Sequence, residues 1–346
     1  MIKNTIIRKI NLLYRRGNLR RLVKESGAAS ILPKLYFHFF LKDKDFPDYI
    51  NIEITNECNL SCPMCPNSII PKDKKGYMKI DLVRKIIQEI DIHGTSNLLF
   101  VKQGEPFLHP QVREIFALLR QTKNRQNVLW VSNGTTLNNE HIDALIEFQI
   151  DELNLSIDSI HPETYFEIRR VELDKTIANL EQLLKRKAEE KSERPHISVN
   201  MIVQKNNINE MKSIRAFFKK HKIQLTVQKY NPSFTGLDAG TDGWTLGKGD
   251  LNHRYPCPHV FVNFVINYDG SVSLCCADWE GAFKIGDLNR NSIRDIWNSD
   301  KYRDVRKNHL NGKYDRISIC KNCTAWQNNP NILFSREYQA RKERER

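Results

Sequence analysis

From about residue 50 to residue 230 the hydrophobic pattern alternates between two periods. Short β-rich runs fall at Ile50–Thr55, Asn97–Lys102, Asn127–Ser132, Glu152–Ile157, His196–Val203 and Gln224–Tyr230. Helical patterns separate them, at Ile80–Ile92, Gln111–Thr122, Asn138–Phe148, Glu163–Lys187 and Asn207–Lys220. In the first helix Val83, Ile86, Ile87 and Ile90 fall at i, i+3, i+4 and i+7, the stripe of an amphipathic helix. Strands that alternate with helices predict parallel βαβ units with right-handed crossovers. The expected fold class is therefore α/β, and six such units make a partial (β/α)6, TIM-like barrel. Chemistry in such a barrel belongs at the C-terminal ends of the strands.

The pattern weakens over NPSFTGLDAGTDGWTLGKGD, which reads as a linker or lid spanning 231–255. FVNFVINYDGSVSLCC then reads as a β-hairpin turning at Asp269-Gly270, followed by a helix over SIRDIWNSDKYRDVRKNHL. The expected organisation is a basic helical extension (1–49), the barrel (50–230), the linker, a small C-terminal domain (256–330) and a charged tail (331–346).

Composition changes this picture little. Hydrophobic residues at 40% and charged residues at 27% exclude a disordered or fibrous chain. No run approaches the ~18–20 uninterrupted apolar residues of a membrane span. The opening MIKNTIIRKINLLYRR carries charges through its apolar part and lacks a small-residue cleavage site, which excludes a secretory signal. The net charge of +13 is partly local to the first 25 residues and forms no stripe of basic and aromatic residues, so no nucleic-acid partner is expected. Ile2, Ile6, Ile10 and Leu13 share one helical face. Residues 1–30 are read as a helix that either closes the open side of the barrel or makes peripheral contact with an anionic membrane.

The cysteines carry the chemistry. Cys58, Cys62 and Cys65 form C-x3-C-x2-C, Cys257 and the pair Cys275 and Cys276 follow much later, and Cys320 and Cys323 close the series as C-x2-C. Zinc normally takes four N or S ligands, and the first set has no fourth ligand nearby. Three thiolates suit a [4Fe–4S] cluster whose fourth iron stays open to an outside ligand. The later set also suits an all-cysteine zinc site.

The C-x3-C-x2-C loop just after INIEIT resembles the signature of radical S-adenosylmethionine (SAM) enzymes, and further motifs similar to theirs follow in order. These are LLFVKQGEPFLHP, LWVSNGTTL and LNLSIDSIHPETYFEIR, then FVINYDGSVSLCCADW, IRDIW and CKNC, which resemble the auxiliary-cluster domain called SPASM or its shorter twitch form. The resemblance runs from Ile50 to Trp326. It implies that Cys58, Cys62 and Cys65 hold a cluster that binds SAM and cleaves it reductively, releasing a 5′-deoxyadenosyl radical. It also implies that Gly104, Glu105 and Pro106 hold the SAM ammonium, although Gln103 stands where the family more often has a first glycine. Ser132 and Asn133 are placed for the ribose or the methionyl carboxylate, Ser156 and Asp158 for the same ligand, Met64 for the adenine and Arg169 for a carboxylate.

By the same resemblance Cys257, Cys275, Cys320 and Cys323 hold one auxiliary [4Fe–4S] cluster, giving two clusters in all, with Cys276 as a spare thiol or alternative ligand. The layout is similar to that of 2-deoxy-scyllo-inosamine dehydrogenases and implies two-electron oxidation of a small sugar- or cyclitol-like metabolite. A redox-neutral rearrangement is also open. Asp278 and Glu280 are candidates for the substrate side, against the reading of a solvated loop. The rival functions are a peptide-modifying maturase, for which the 49 residues before Ile50 are short of the usual recognition domain, and a non-enzymatic iron–sulfur electron carrier. Low-valent clusters imply a reducing cytoplasm and a flavodoxin- or ferredoxin-type electron donor.

Overall fold

The computed structural model describes residues 44–94, 97–230, 254 and 256–324. The N-terminal extension up to residue 43, the linker or lid except for Arg254, and the charged tail lie outside the described residues. The chain divides into two compact units that interleave in sequence. The larger contains residues 45–248 and 262–302, and the smaller contains 1–44, 249–261 and 303–346.

The larger unit is built on one sheet. Its first six strands are β1 (Tyr49–Ile52), β2 (Asn97–Phe100), β3 (Asn127–Ser132), β4 (Glu152–Ser156), β5 (His196–Val203) and β6 (Gln224–Lys229). All six run parallel, in the order β6-β5-β4-β3-β2-β1. The helices joining them are α1 (Ile80–His93), α2 (Val112–Arg120), α3 (Asn139–Glu147), α4 (Pro162–Arg169), α5 (Leu173–Glu189) and α6 (Met211–Lys220). The stripe read from the sequence is the buried one, since Val83, Ile86, Ile87 and Ile90 of α1 are all in the core. One sheet face carries Phe100, Trp130, Leu153, Leu155, Val199 and Met201, all fully buried. Helices close this face, with Phe116 of α2 set edge-on to Trp130 at 4.7 Å.

Two features differ from the sequence reading. The pattern over Glu163–Lys187 is not one helix but two, broken at Arg170, whose φ is 57°. An unbroken helix would run about 37 Å, well past the strands of four to eight residues that it covers. The hairpin does not form a separate sheet. Its first strand, β7 (Asn263–Ile266), pairs parallel to β1 with Tyr49 opposite Asn263. The antiparallel strands β8 (Ser271–Ser273) and β9 (Lys284–Asp287) then complete a nine-stranded sheet. Helix α7 (Ile293–Trp297) follows, with a capping box between Ser292 and Asp295. Among the described residues no helix is long and apolar enough to cross a membrane.

Candidate active site

The cysteine loop leaves the C-terminal end of β1 and is shaped by side-chain amides. Asn56 accepts from the Gly76 amide (2.8 Å) and donates to the Lys74 carbonyl (2.8 Å), while Asn67 donates to the Asn56 carbonyl (2.7 Å). The Cys65 amide donates to the Cys62 carbonyl (3.0 Å), which turns the last two cysteines toward one another. All eight cysteines are free thiols. Burial pushes the Cys58 thiol up to about 12 and raises that of Cys65, and the neighbouring loop thiols add to both shifts. Thiols as buried as those of Cys58 and Cys65 become thiolates only beside concentrated positive charge, which is what an iron–sulfur cluster supplies. The donor set therefore fits the cluster.

Gly104, Glu105 and Pro106 lie just beyond β2. A Cβ on Gly104 would stand 2.1 Å from the Thr55 carbonyl oxygen and 2.7 Å from that of Glu57, so glycine alone allows this strand end to touch the root of the cysteine loop. The Glu105 amide then donates to the Glu57 carbonyl (2.8 Å). The Glu105 carboxylate is buried, which pushes it up to about 7. Its oxygens accept from the Phe107 amide (3.1 Å) and the Asn133 amide (2.7 Å), so the second and third motifs meet on this one group.

Beyond β3, Ser132 accepts from the Gly134 amide (2.9 Å), and Gly134 turns the chain at a φ of 79°. Asn133 donates to Asn59 Oδ1 (3.0 Å), and its amide nitrogen lies 3.9 Å from Cys58 Sγ. Asn59 in turn donates to Thr135 Oγ1 (2.8 Å). Asn59 and Thr135 thus couple the cysteine loop to the Ser-Asn-Gly turn. The sequence reading missed both, although each directly adjoins a motif.

At the end of β4, Ser156 is half-buried and Asp158 is wholly buried. One Asp158 oxygen accepts from the Ile202 amide (2.7 Å), and the other pairs with Arg169 Nε at 2.6 Å. Asp158 and Arg169, both read from sequence as ligand contacts, are joined in a buried ion pair, and the Arg169 carbonyl accepts from Cys62 Sγ at 3.6 Å. Removing one partner of such a pair leaves an uncompensated buried charge. Arg169→Met is expected to lower stability by about 3–5 kcal/mol, read by denaturant unfolding of the metal-free protein. The double variant with Asp158→Asn is expected to recover part of that loss, because the orphaned charge is gone while the acceptor for Ile202 remains. Equal stability of Arg169→Met and wild type would show the pair to be dispensable. Met64 packs with Cys62, Ile168 and Tyr230 in a small buried apolar cluster bordered by Leu60, Cys65 and Ile202.

On the other side of the mouth Asp278 holds its own loop, accepting from the amides of Ala282 (2.8 Å) and Phe283 (3.1 Å), while Glu280 is exposed. Lys102 and Glu53, at the ends of β2 and β1, were not singled out in the sequence. Glu53 is a charged residue directly after the short strand β1, and that was the available signal.

The smaller unit gathers three of the later cysteines. The Cys257 thiol is raised by burial, and Cys320 and Cys323 act on it in the same direction. The Cys257 amide donates to His309 Nδ1 (3.2 Å), Arg254 Nη1 donates to the Cys320 carbonyl (2.7 Å), and the Arg254 guanidinium carbon lies over the Tyr314 ring, 4.1 Å from its centre. Arg254 Nε and His309 Nε2 are buried donors without a protein acceptor, as expected beside a sulfur-rich group. Cys275 and Cys276 follow β8 in the larger unit, both half-buried.

A mouth at the ends of parallel strands, with a three-cysteine loop tied to a buried glutamate and a Ser-Asn-Gly turn, defines a SAM-cleaving iron–sulfur enzyme. Comparison with known proteins agrees. The profile of the Radical SAM superfamily matches residues 52–218, and that of the SPASM iron–sulfur cluster-binding domain matches 257–324. The chain belongs to the radical SAM superfamily, with a SPASM domain, and is a radical SAM enzyme. It is similar to the tungsten-containing aldehyde ferredoxin oxidoreductase cofactor-modifying protein of Pyrococcus furiosus, at 24% identity over 76% of this chain and 85% of that one. In fold it is similar to SuiB of Streptococcus suis bound to S-adenosylmethionine, with a TM-score of 0.62 and 16% identity over 90% of this chain and 82% of that one. It is also similar to BtrN in complex with AdoMet and 2-DOIA, with a TM-score of 0.52 and 17% identity over 80% and 92% of the two chains.

Proposed function

We propose that this radical SAM enzyme oxidises a small, polar, sugar- or cyclitol-like metabolite by two electrons. The observation that carries this reading is the polarity of the sheet face opposite the helices. Asn154, Ser156, Asn200, Thr226 and Gln228 alternate with the core residues of β4, β5 and β6, and none of the five is fully buried. Asn200 Oδ1 is a buried acceptor without a partner. An apolar substrate would leave such groups unsatisfied, whereas hydroxyl groups would satisfy them.

In this reading Cys58, Cys62 and Cys65 hold the cluster that binds SAM. Cys257, Cys275, Cys320 and Cys323 hold a single auxiliary cluster, so the chain carries two. Glu105 accepts from the SAM ammonium, Ser132, Asn133 and Ser156 hydrogen-bond its ribose and carboxylate, and Met64 lies against the adenine. Asp158 and Arg169 position the β4–α4 segment through their ion pair. When bound, the first cluster supplies the electron that cleaves SAM and the auxiliary one a sink for the electron left after hydrogen abstraction. The alcohol carbon gives its hydrogen atom to the deoxyadenosyl group, the hydroxyl loses its proton to solvent, and a carbonyl results. A flavodoxin- or ferredoxin-type protein of the cytoplasm serves as reductant.

The test is anaerobic turnover of the reconstituted enzyme with SAM, dithionite and ring-deuterated 2-deoxy-scyllo-inosamine or myo-inositol. Deuterium in 5′-deoxyadenosine together with a ketone product is the expected result. Absence of deuterium transfer from both compounds would overturn the substrate class.

A further inference from the structure

At the mouth of the larger unit, three adjacent parallel strands, β2, β1 and β7, end in a polar cluster that the SAM motifs do not use. Glu53 follows β1, Lys102 follows β2 and Asn267 follows β7. The register continues the side-chain alternation. Asn51 lies opposite Val265, so Glu53 and Asn267, two residues on, share the face opposite the helices. Glu53 is buried, and its oxygens accept from the Gln103 amide (3.2 Å) and the Tyr268 amide (3.3 Å), pinning the ends of β2 and β7 to β1. Asn267 donates to Ser271 Oγ (2.8 Å) and Ser273 Oγ (2.9 Å), which fixes its amide and turns Oδ1 toward Lys102. Lys102 Nζ donates to that oxygen at 2.5 Å.

This arrangement holds an ammonium in one place. Lys102 is half-exposed, whereas Glu53, Asn267 and Asp278 are buried around it. Its charge acts on both the Glu53 and the Asp278 carboxylates. An ammonium has three donors, and Asn267 is its one hydrogen-bond partner among the described residues. Lys102 stands two residues before Gly104 in the chain, just beyond the end of β2 that leads into the Gly-Glu-Pro motif.

We infer that Lys102 is the substrate-anchoring residue of this enzyme, donating to an oxygen of a polyhydroxylated, uncharged or amine-bearing substrate, with Glu53 and Asn267 as the residues that position it. The inference rests on the substrate class proposed above. Charge selects within that class. The acidic side chains of Glu53, Asp269 and Asp278 gather near one cation, so a phosphorylated substrate would meet more acidic than basic groups there and is disfavoured. Hydroxyl groups suit it because they can accept from Lys102 while donating to neighbouring oxygens.

Anaerobic calorimetry of the full-length, cluster-loaded protein with SAM tests this, using 2-deoxy-scyllo-inosamine, myo-inositol and glucose 6-phosphate as probes. Wild type is expected to bind at least one of the two unphosphorylated compounds and to bind glucose 6-phosphate more weakly. Lys102→Met is expected to weaken that binding about tenfold or more, as loss of a charge-assisted hydrogen bond does, while Lys102→Arg retains most of it. The SAM-induced change in the EPR signal of the first cluster, equal in all three proteins, shows that the mouth is intact. Equal affinity of wild type and Lys102→Met for the bound compound would overturn the role of Lys102 and leave the substrate class standing. Tighter binding of glucose 6-phosphate by wild type would overturn the charge argument and the inference with it. Failure of wild type to bind any of the three would overturn the substrate class itself, and the inference would fall with its premise.

Discussion

Gly104→Ala is expected to abolish SAM binding and to destabilise the metal-free protein by about 4–5 kcal/mol, at the extreme of single substitutions. The added carbon would stand 2.1 Å from the Thr55 carbonyl oxygen, and the atoms around it cannot yield. The Glu57 amide is bonded to Thr55 Oγ1 (2.9 Å), Thr55 Oγ1 donates to the Gly76 carbonyl (2.7 Å), and the Glu105 amide holds the Glu57 carbonyl. The clash can be relieved only by moving the β2 end off the cysteine loop, which also moves Glu105 away from Asn133. Gly281→Ala is the matching control. Gly281 has a φ of 66° but meets nothing closer than 3.9 Å, so alanine there meets backbone strain alone, about 1–2 kcal/mol. Denaturant unfolding of both metal-free variants, with SAM titrations of the reconstituted proteins, separates close contact from backbone strain. Wild-type stability in Gly104→Ala would show that the strand end is free to move.

The same contact shows what a sequence can and cannot display. The three cysteines of the first loop lie within eight residues, and their chemistry follows from local spacing. The helix stripes are local too, and Val83, Ile86, Ile87 and Ile90 are buried as their spacing requires. The need for glycine at position 104 is not local, because it comes from carbonyls some fifty residues earlier. The pairing of β7 with β1 and the bond from Lys102 to Asn267 join segments even further apart, and hydrophobic periodicity says which face a residue takes but not which strand lies beside it. Asp158 and Arg169 are close in sequence, yet their ion pair was not legible in the spacing. The missing information was the break at Arg170, which comes from packing a long helical pattern against short strands.

Iron content provides the last separation, because each cluster should be lost as a unit. Reconstituted wild type is expected to bind about eight iron atoms per chain, four for each of two clusters. The triple variant Cys58→Ala, Cys62→Ala, Cys65→Ala is expected to retain about four and to form no 5′-deoxyadenosine. Cys257→Ala and Cys320→Ala are each expected to lose the other four, because each removes one of the four ligands proposed for the auxiliary cluster. Cys275 and Cys276 are adjacent residues in the bend and turn that follow β8, and the Asp-Gly-x-Val-x-x-Cys spacing on which the resemblance rests ends on Cys275. Cys275→Ala is therefore expected to lose iron and Cys276→Ala to keep it. The reverse result would transfer the ligand role to Cys276. About twelve iron atoms in wild type would require a second auxiliary cluster, with ligands other than the eight cysteines. Four that survive in Cys257→Ala and Cys320→Ala alike, with full 5′-deoxyadenosine formation on SAM and dithionite, would show that cleavage of SAM depends on the first loop alone and that the later cysteines act after it.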